Sequence, residues 1–262
     1  MKLNYKLYPF QNPNRKSLGD IIILHGLFGS SKNWVTVARF LSNFGSVYAV
    51  DQRNHGDSPH TNEHSIQLMS EDLEEFIFDH QIKNPILLGH SMGGLVAMYF
   101  DLTHPGIIQK LIIQDIAPRS YPFAYDKEIL SMSFPLEGFT SRTEVDSEMA
   151  KYVPDTFIRQ FLQMSLDRKE DGKYRWKLNV EGLNHARRVF DDVFTFDKTS
   201  QTQTLFLLGG DSPYIRDSDL EVMDRFFKNN QKIKIEGGGH YIHFTHQAKY
   251  LDILDQELSL IL

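Results

Sequence analysis

Pro85-Ile86-Leu87-Leu88-Gly89-His90-Ser91-Met92-Gly93-Gly94-Leu95-Val96-Ala97-Met98-Tyr99-Phe100 decides the fold. The stretch reads as a buried apolar strand, a G-x-S-x-G pentapeptide and an apolar helix. That order is the context in which such a pentapeptide presents a reactive serine. A serine on so sharp a turn has a strained backbone, and the residues two before and two after it must lack bulk for strand and helix to approach. The geometry predicts that Ser91 Oγ projects out of the fold as a nucleophile.

Outward from this point, short apolar, β-branched runs recur at 20–24, 47–50, 85–88, 110–113, 204–208 and 232–235, each ending at Gly, Asp, His or Ser. They read as buried parallel strands. Helical spacing fills 32–44, 65–80, 95–103, 217–229 and 247–260. The alternation predicts an α/β fold with a mostly parallel central sheet and helices on both faces. The rhythm breaks after Ala117, where about eighty residues show amphipathic helical patterns and no convincing buried strand. Residues 1–117 and 198–262 are therefore expected to form the core, and 118–197 an inserted helical cap. Helices are expected there at 142–152, 154–168 and 180–190, with a turn at Asp171-Gly172-Lys173.

The whole chain has 262 residues and a net charge of −6, from 28 basic and 34 acidic residues. No basic cluster interleaves with aromatics, which argues against nucleic-acid binding. With no cysteine, neither disulfides nor thiolate chemistry is available. No segment is long and apolar enough to span a bilayer, and the N-terminus lacks the apolar stretch of a signal peptide, so a cytoplasmic protein is expected.

A serine hydroxyl needs an imidazole to accept its proton. Among 11 histidines, His240 follows the last strand in Glu236-Gly237-Gly238-Gly239-His240, where glycines let a loop carry the ring back over the sheet edge. His243 and His246 extend it to an H-x-x-H-x-x-H series, but that spacing is not the same-face pair of a helical zinc site, and no metal is expected. The acid that orients the histidine has two candidates. Asp115 ends the strand at 110–114, and Asp211 follows the strand at 204–208. In many related folds the acid is the fourth residue of a G-x-x-D turn after the latter strand, yet counting from Gly209 that place is held by Ser212. The sequence favours Asp115, at the end of the strand next to the nucleophile's, and keeps Asp211 as the alternative. The oxyanion needs donors where charge develops. The Met92 amide is one, and Leu27, in His25-Gly26-Leu27-Phe28-Gly29, is preferred to Phe28 as the second. His25 and the polar loop Asp51–Ser58 read as self-satisfied turns beside that loop.

Taken together, His25–Gly29, Asp51–Ser58, Gly89–Gly93 and Gly239-His240 resemble the α/β-hydrolase superfamily over essentially the whole chain. More narrowly, residues 24–34, 51–59, 114–118 and 209–214 look like the YbfF-type esterases and their mitochondrial abhydrolase relatives. The resemblance implies an acid at Asp115, a supporting serine at Ser212, and activity on short acyl esters or acyl-CoA thioesters. It also leaves the N-terminal segment before Asp20 short for two further antiparallel strands, so a trimmed sheet edge is expected.

The expected chemistry is that of a carboxylesterase or thioesterase: acyl transfer through Ser91, His240 and Asp115, with no cofactor and a small-molecule acyl ester or thioester as partner. Tyr121, Phe123, Tyr125, Phe134, Phe139, Phe157, Phe161 and Trp176 offer apolar surface for an acyl pocket, and Arg119, Arg187 and Arg188 are candidates for a CoA phosphate. The same scaffold also serves lyases, carbon–carbon hydrolases and cofactor-free perhydrolases. From another class, a non-catalytic binding protein on a hydrolase scaffold predicts a missing catalytic group, whereas serine, histidine and acid candidates are all present.

Overall fold

Continuously buried central strands build the molecule outward from its sheet. In this computed structural model, which describes residues 1–261, the strands are β1 Tyr5–Tyr8, β2 Asp20–Leu24, β3 Ser46–Val50, β4 Ile86–His90, β5 Lys110–Gln114, β8 Gln203–Gly209 and β9 Asn230–Ile235. A separate two-stranded ribbon comprises β6 Leu166–Arg168 and β7 Tyr174–Trp176. The main sheet has the order β1-β3-β2-β4-β5-β8-β9, and only β1 runs antiparallel to its neighbour. The edge before Asp20 thus holds a single antiparallel strand.

Side chains alternate between two faces because strand periodicity is two. Ile22, Leu24, Leu87, Leu111, Ile113 and Phe206 point to one core. There they meet helices α2 Ile66–Asp79 and α3 Met92–Thr103. Ile21, Ile23, Leu88, Ile112, Leu205 and Leu207 point to the other, against α1 Val35–Leu41 and α10 Gln247–Ser259. Near-continuous apolar strands are what a sheet covered on both faces requires. Helix α8 Asp217–Phe226 lies between β8 and β9, and the short α9 Ile242–Thr245 precedes α10.

Between β5 and β8 the chain leaves the main sheet and forms α4 Asp126–Leu130, α5 Arg142–Met149, α6 Thr156–Leu162, the β6–β7 ribbon and α7 Val180–His185. The helix expected over 154–168 is shorter. Asp155 caps its start by accepting from the Phe157 and Ile158 amides, and a 3₁₀ turn at Gln163–Ser165 ends it. Arg142 then takes the carbonyls of Gln163 (2.9 Å) and Leu166 (2.6 Å), satisfying acceptors that a continued helix would have used. Leu166–Arg168 pairs instead with Tyr174–Trp176 across the Asp171-Gly172 turn, where Gly172 has φ +83°. Local helical periodicity lost to a tertiary hairpin.

Candidate active site

Four strand ends and one loop converge at the C-terminal edge of the sheet, where ligands gather in open α/β folds. Ser91 follows β4 with φ 52° and ψ −119°, a conformation costing about 1–3 kcal/mol that only surrounding packing holds in place. The packing is tight: a Cβ on Gly89 would lie 2.4 Å from the Gly93 carbonyl oxygen, and one on Gly93 would lie 2.3 Å from that of Leu24. Glycine at both positions is a steric requirement. The Ser91 side chain is buried apart from its approach to a cavity of about 160 Å³, which His240, Leu27 and Phe161 also line.

His240 sits in the loop after β9, with Nδ1 2.7 Å from Asp115 Oδ2. Because a carboxylate only accepts, Nδ1 carries the hydrogen, and Nε2 of the neutral ring is left as the free base. Asp115 is fully buried, and its other contacts are the Gly209 N–H to Oδ1 (2.8 Å) and the Ser212 hydroxyl to Oδ2. A buried carboxylate with this many donors is held in one orientation. Asp211 is exposed; its backbone N–H donates to the Gly238 carbonyl (2.8 Å), and its carboxylate has no contact with His240. Ser91 and His240 share the cavity with no hydrogen bond between them among the described residues, a looseness common before substrate arrives.

The amides of Leu27 and Met92, the candidate oxyanion donors, both belong to residues that line the cavity region or open the helix after Ser91. Met92 opens α3, so its N–H has no intrahelical acceptor, and among the described residues the Leu27 N–H has no backbone one. Phe28, the alternative, has φ 64° and gives its N–H to His55 Nε2 at 3.2 Å. The His55 Nδ1–H in turn donates to the Arg53 carbonyl (2.8 Å), so His55 ties the His25–Gly29 loop to the Asp51–Ser58 turn. That turn is tied to its surroundings rather than satisfied within itself, and its buried Gln52 Oε1 has no hydrogen-bond partner among the described residues. Asp51 accepts from the amides of Ser31 (2.6 Å) and Asp57 (3.0 Å), and His25 Nε2 accepts from the Gln52 amide (3.0 Å).

Sequence reasoning missed the groups that hold His240. The Tyr214 ring stacks on the imidazole, with centroids 3.8 Å apart and planes 18° from parallel. Its hydroxyl meets that of Tyr125, from the segment between β5 and β8, at 3.0 Å. The His240 carbonyl accepts from His90 Nε2–H (3.0 Å) and from Gln114 Nε2 (3.3 Å), so the ends of β4 and β5 both grip the loop. Burial pushes His90 well below its ordinary pKa, with the neighbouring His240 and His243 adding to the effect, and keeps it neutral for this bond. Gln114 also donates to His243 Nδ1 (2.7 Å). His243 is buried, pushed down to about 3 by that burial, and lies face to face on Trp34 with centroids 4.4 Å apart. His246 contacts Thr245 instead, so the three histidines of the series do not share one bonding partner. Ser91, His240 and Asp115 each had a positional signal in the sequence; Tyr214 and Gln114 lay in segments that carried the resemblance but had no assigned role.

Of the aromatics offered for an acyl pocket, Tyr125 and Phe161 line the cavity. The candidate phosphate-binding arginines are engaged by carboxylates: Arg119 with Asp219 (2.7 Å), Arg187 with Asp126, and Arg188 with Asp191 (3.1 Å).

A family model described as the alpha/beta hydrolase fold matches residues 21–247. The chain belongs to the α/β-hydrolase fold family. Among curated relatives of this hydrolase-fold chain, it is 32% identical to the sn-1-specific diacylglycerol lipase ABHD11 of Mus musculus, covering 93% of this chain and 82% of that one. It is 30% identical to the esterase YbfF of Escherichia coli, covering 93% of each chain. A solved structure titled a marine microorganism esterase superposes with a TM-score of 0.90 at 33% identity, covering 97% of this chain and 98% of that one. The fold class and the resemblance inferred from motifs thus stand.

Proposed function

We propose that this α/β hydrolase cleaves carboxylic esters by two-step acyl transfer, with Ser91 as nucleophile, His240 as base and Asp115 as the acid that orients it. The observation that carries the reading is the Asp115–His240 bond at a cavity that Ser91 enters from a strained elbow. The naming of similar proteins as lipase and esterase supports the same reaction class.

The chemistry follows from the groups present. His240 Nε2 takes the Ser91 proton as Oγ bonds to the ester carbonyl carbon, and the carbonyl π electrons move to oxygen. The Leu27 and Met92 amides hold that oxyanion; one such donor is typically worth about 10²–10³ in kcat. As the intermediate collapses, the C–O bond to the alcohol breaks and His240 gives the proton to the departing oxygen. Water then repeats the sequence on the acyl-enzyme, releasing the acid and restoring Ser91.

Residues 118–197 act in this reading as the cap that closes the acyl side, through Tyr125, Ile158, Phe161 and Leu162. At about 160 Å³ the cavity is smaller than the roughly 300–1,000 Å³ of drug-sized sites, which favours short acyl groups. Thioesters share the mechanism, with a thiolate leaving.

A fluorophosphonate probe tests the reading. Folded wild-type protein is expected to label once and Ser91→Ala not at all; labelling that survives the substitution defeats the assignment. Hydrolysis of p-nitrophenyl esters of increasing acyl length, compared with acyl-CoA thioesters, then reads the chain-length and leaving-group preference.

A further inference from the structure

One acidic side chain belongs to the cavity without taking part in the acyl-transfer chemistry. Glu128, on α4, lines the same space as Ser91 and His240. Among the described residues its carboxylate makes no ion pair and accepts no hydrogen bond from another residue, in contrast to Asp126 beside it, which pairs with Arg187. No lysine or arginine lines the cavity. Tyr125, Tyr214 and Tyr241 line the same cavity as this carboxylate. The Tyr125 and Tyr214 hydroxyls meet at 3.0 Å, so one hydrogen is shared between them, and among the described residues neither donates to Glu128.

Carboxylates in partly buried positions are normally paired, because the charge loses water and gains nothing in return. Burial accordingly pushes the Glu128 carboxyl upward, and a hydrogen bond from its own backbone N–H and neighbouring Lys127 only partly offset this. An acceptor kept unmatched beside the reacting ester is a site for a donor that arrives with the substrate.

We propose that Glu128 is a specificity-determining residue that selects esters carrying a hydrogen-bond donor, a protonated amine or a hydroxyl, a short distance from the ester carbonyl, and that it disfavours esters bearing an anionic group there. The inference rests on the ester-hydrolase reading and concerns only which esters are preferred. The donor lies on the alcohol or on the acyl part, and the two are separated by experiment.

Matched ester pairs followed by pH-stat titration at neutral pH make the test. On the alcohol side, dimethylaminoethyl butyrate is compared with isoamyl butyrate, and hydroxyethyl butyrate with propyl butyrate. On the acyl side, the ethyl ester of dimethylaminobutyric acid is compared with its all-carbon isostere. In one arm the donor-bearing ester is expected to exceed its partner in kcat/KM by about tenfold or more. Glu128→Met, which removes the acceptor at similar length, is expected to bring that ratio close to one. Glu128→Gln, which keeps an acceptor without charge, is expected to lose the amine preference first. A ratio near one for wild type in both arms, or a ratio that neither substitution changes, overturns the proposal. A purely structural role for Glu128 would lower both members of a pair in parallel and leave the ratio intact, which counts against it. Wild-type protein that labels with fluorophosphonate and turns over p-nitrophenyl butyrate but shows flat ratios refutes the role of Glu128 alone. Failure to label refutes the ester-hydrolase reading itself.

Discussion

Ser91 and Asp115 leave neighbouring parallel strands at the same level, each one residue beyond the paired His90 and Gln114, and each with a left-handed backbone, φ 52° and 53°. The Ser91 N–H donates to the Gln114 carbonyl at 3.1 Å, so the two elbows are joined. The two side chains thus leave the sheet from matching elbows on adjacent strands, and His240, from the loop after β9, meets Asp115.

Asparagine tolerates the left-handed region, so Asp115→Asn keeps the elbow while removing the charge that orients and stabilises the imidazole. It is expected to lower kcat for p-nitrophenyl butyrate by about 10³–10⁴. Asp211→Asn, at an exposed side chain, is expected to change it less than about twofold. The reverse pattern would transfer the acid role to Asp211.

Ser212 gives its hydroxyl to the same Asp115 oxygen that His240 uses, and accepts from the Tyr214 amide at 3.2 Å. Ser212→Ala removes one of the donors that fix the carboxylate and frees the loop carrying the stacked Tyr214. A charge-assisted hydrogen bond of this kind is worth about 1.5–3 kcal/mol, so a loss of at least about tenfold in kcat is expected, with KM changing less. Steady-state kinetics beside a thermal melt separate this effect from unfolding.

Acid is expected to unfold the protein early. Burial holds His25, His55, His64, His90 and His243 below their ordinary value of 6.5, His64 and His243 at about 3. The folded pKa values lie below the unfolded ones, so the unfolded chain binds more protons as pH drops through 6.5. Stability present above that pH is lost on the way down to about 3, by up to about 1.4 kcal/mol per pH unit for each histidine. Against a typical total of about 5–15 kcal/mol, circular dichroism is expected to show an unfolding midpoint near pH 4–5. Full stability at pH 4 in urea titrations would contradict this.

At the opposite end of β5 from Asp115, Lys110 and Glu257 form a buried ion pair at 3.0 Å, with side chains 1% and 8% exposed. Removing one partner strands a charge beneath α10. Lys110→Met is expected to cost about 3–5 kcal/mol in chemical denaturation, and Lys110→Met with Glu257→Leu to recover most of it. Activity of the folded fraction is expected to be unchanged.

Much of this was legible because buried strands announce themselves. The runs ending at Leu24, Val50, Leu88 and Ile113 are apolar at consecutive positions, and each lies within a strand of the sheet. Ser91 was legible from glycines whose absence of bulk the packing requires. Asp115 became a candidate from its place after a buried strand beside that of Ser91, and its bond to His240 keeps it one. The ribbon at 166–176 was not, since Leu166–Arg168 continues a helical pattern and only its pairing with Tyr174–Trp176 makes it a strand. Nor were Tyr214 and Gln114, whose contacts come from meetings across as many as 129 positions of chain, as between Gln114 and His243.

Only two tryptophans occur in the chain, and they divide its regions between them. Trp34 is buried face to face against His243, one hydrogen-bonded step from the Gln114 that grips the His240 carbonyl. Trp176 ends the β6–β7 ribbon, paired with Leu166. Indole emission follows its immediate surroundings, so each ring is a built-in optical probe of one region. With Trp176 replaced by Phe, the protein's own fluorescence becomes a single-site reporter beneath the histidine loop, and turnover can be watched without attaching a dye.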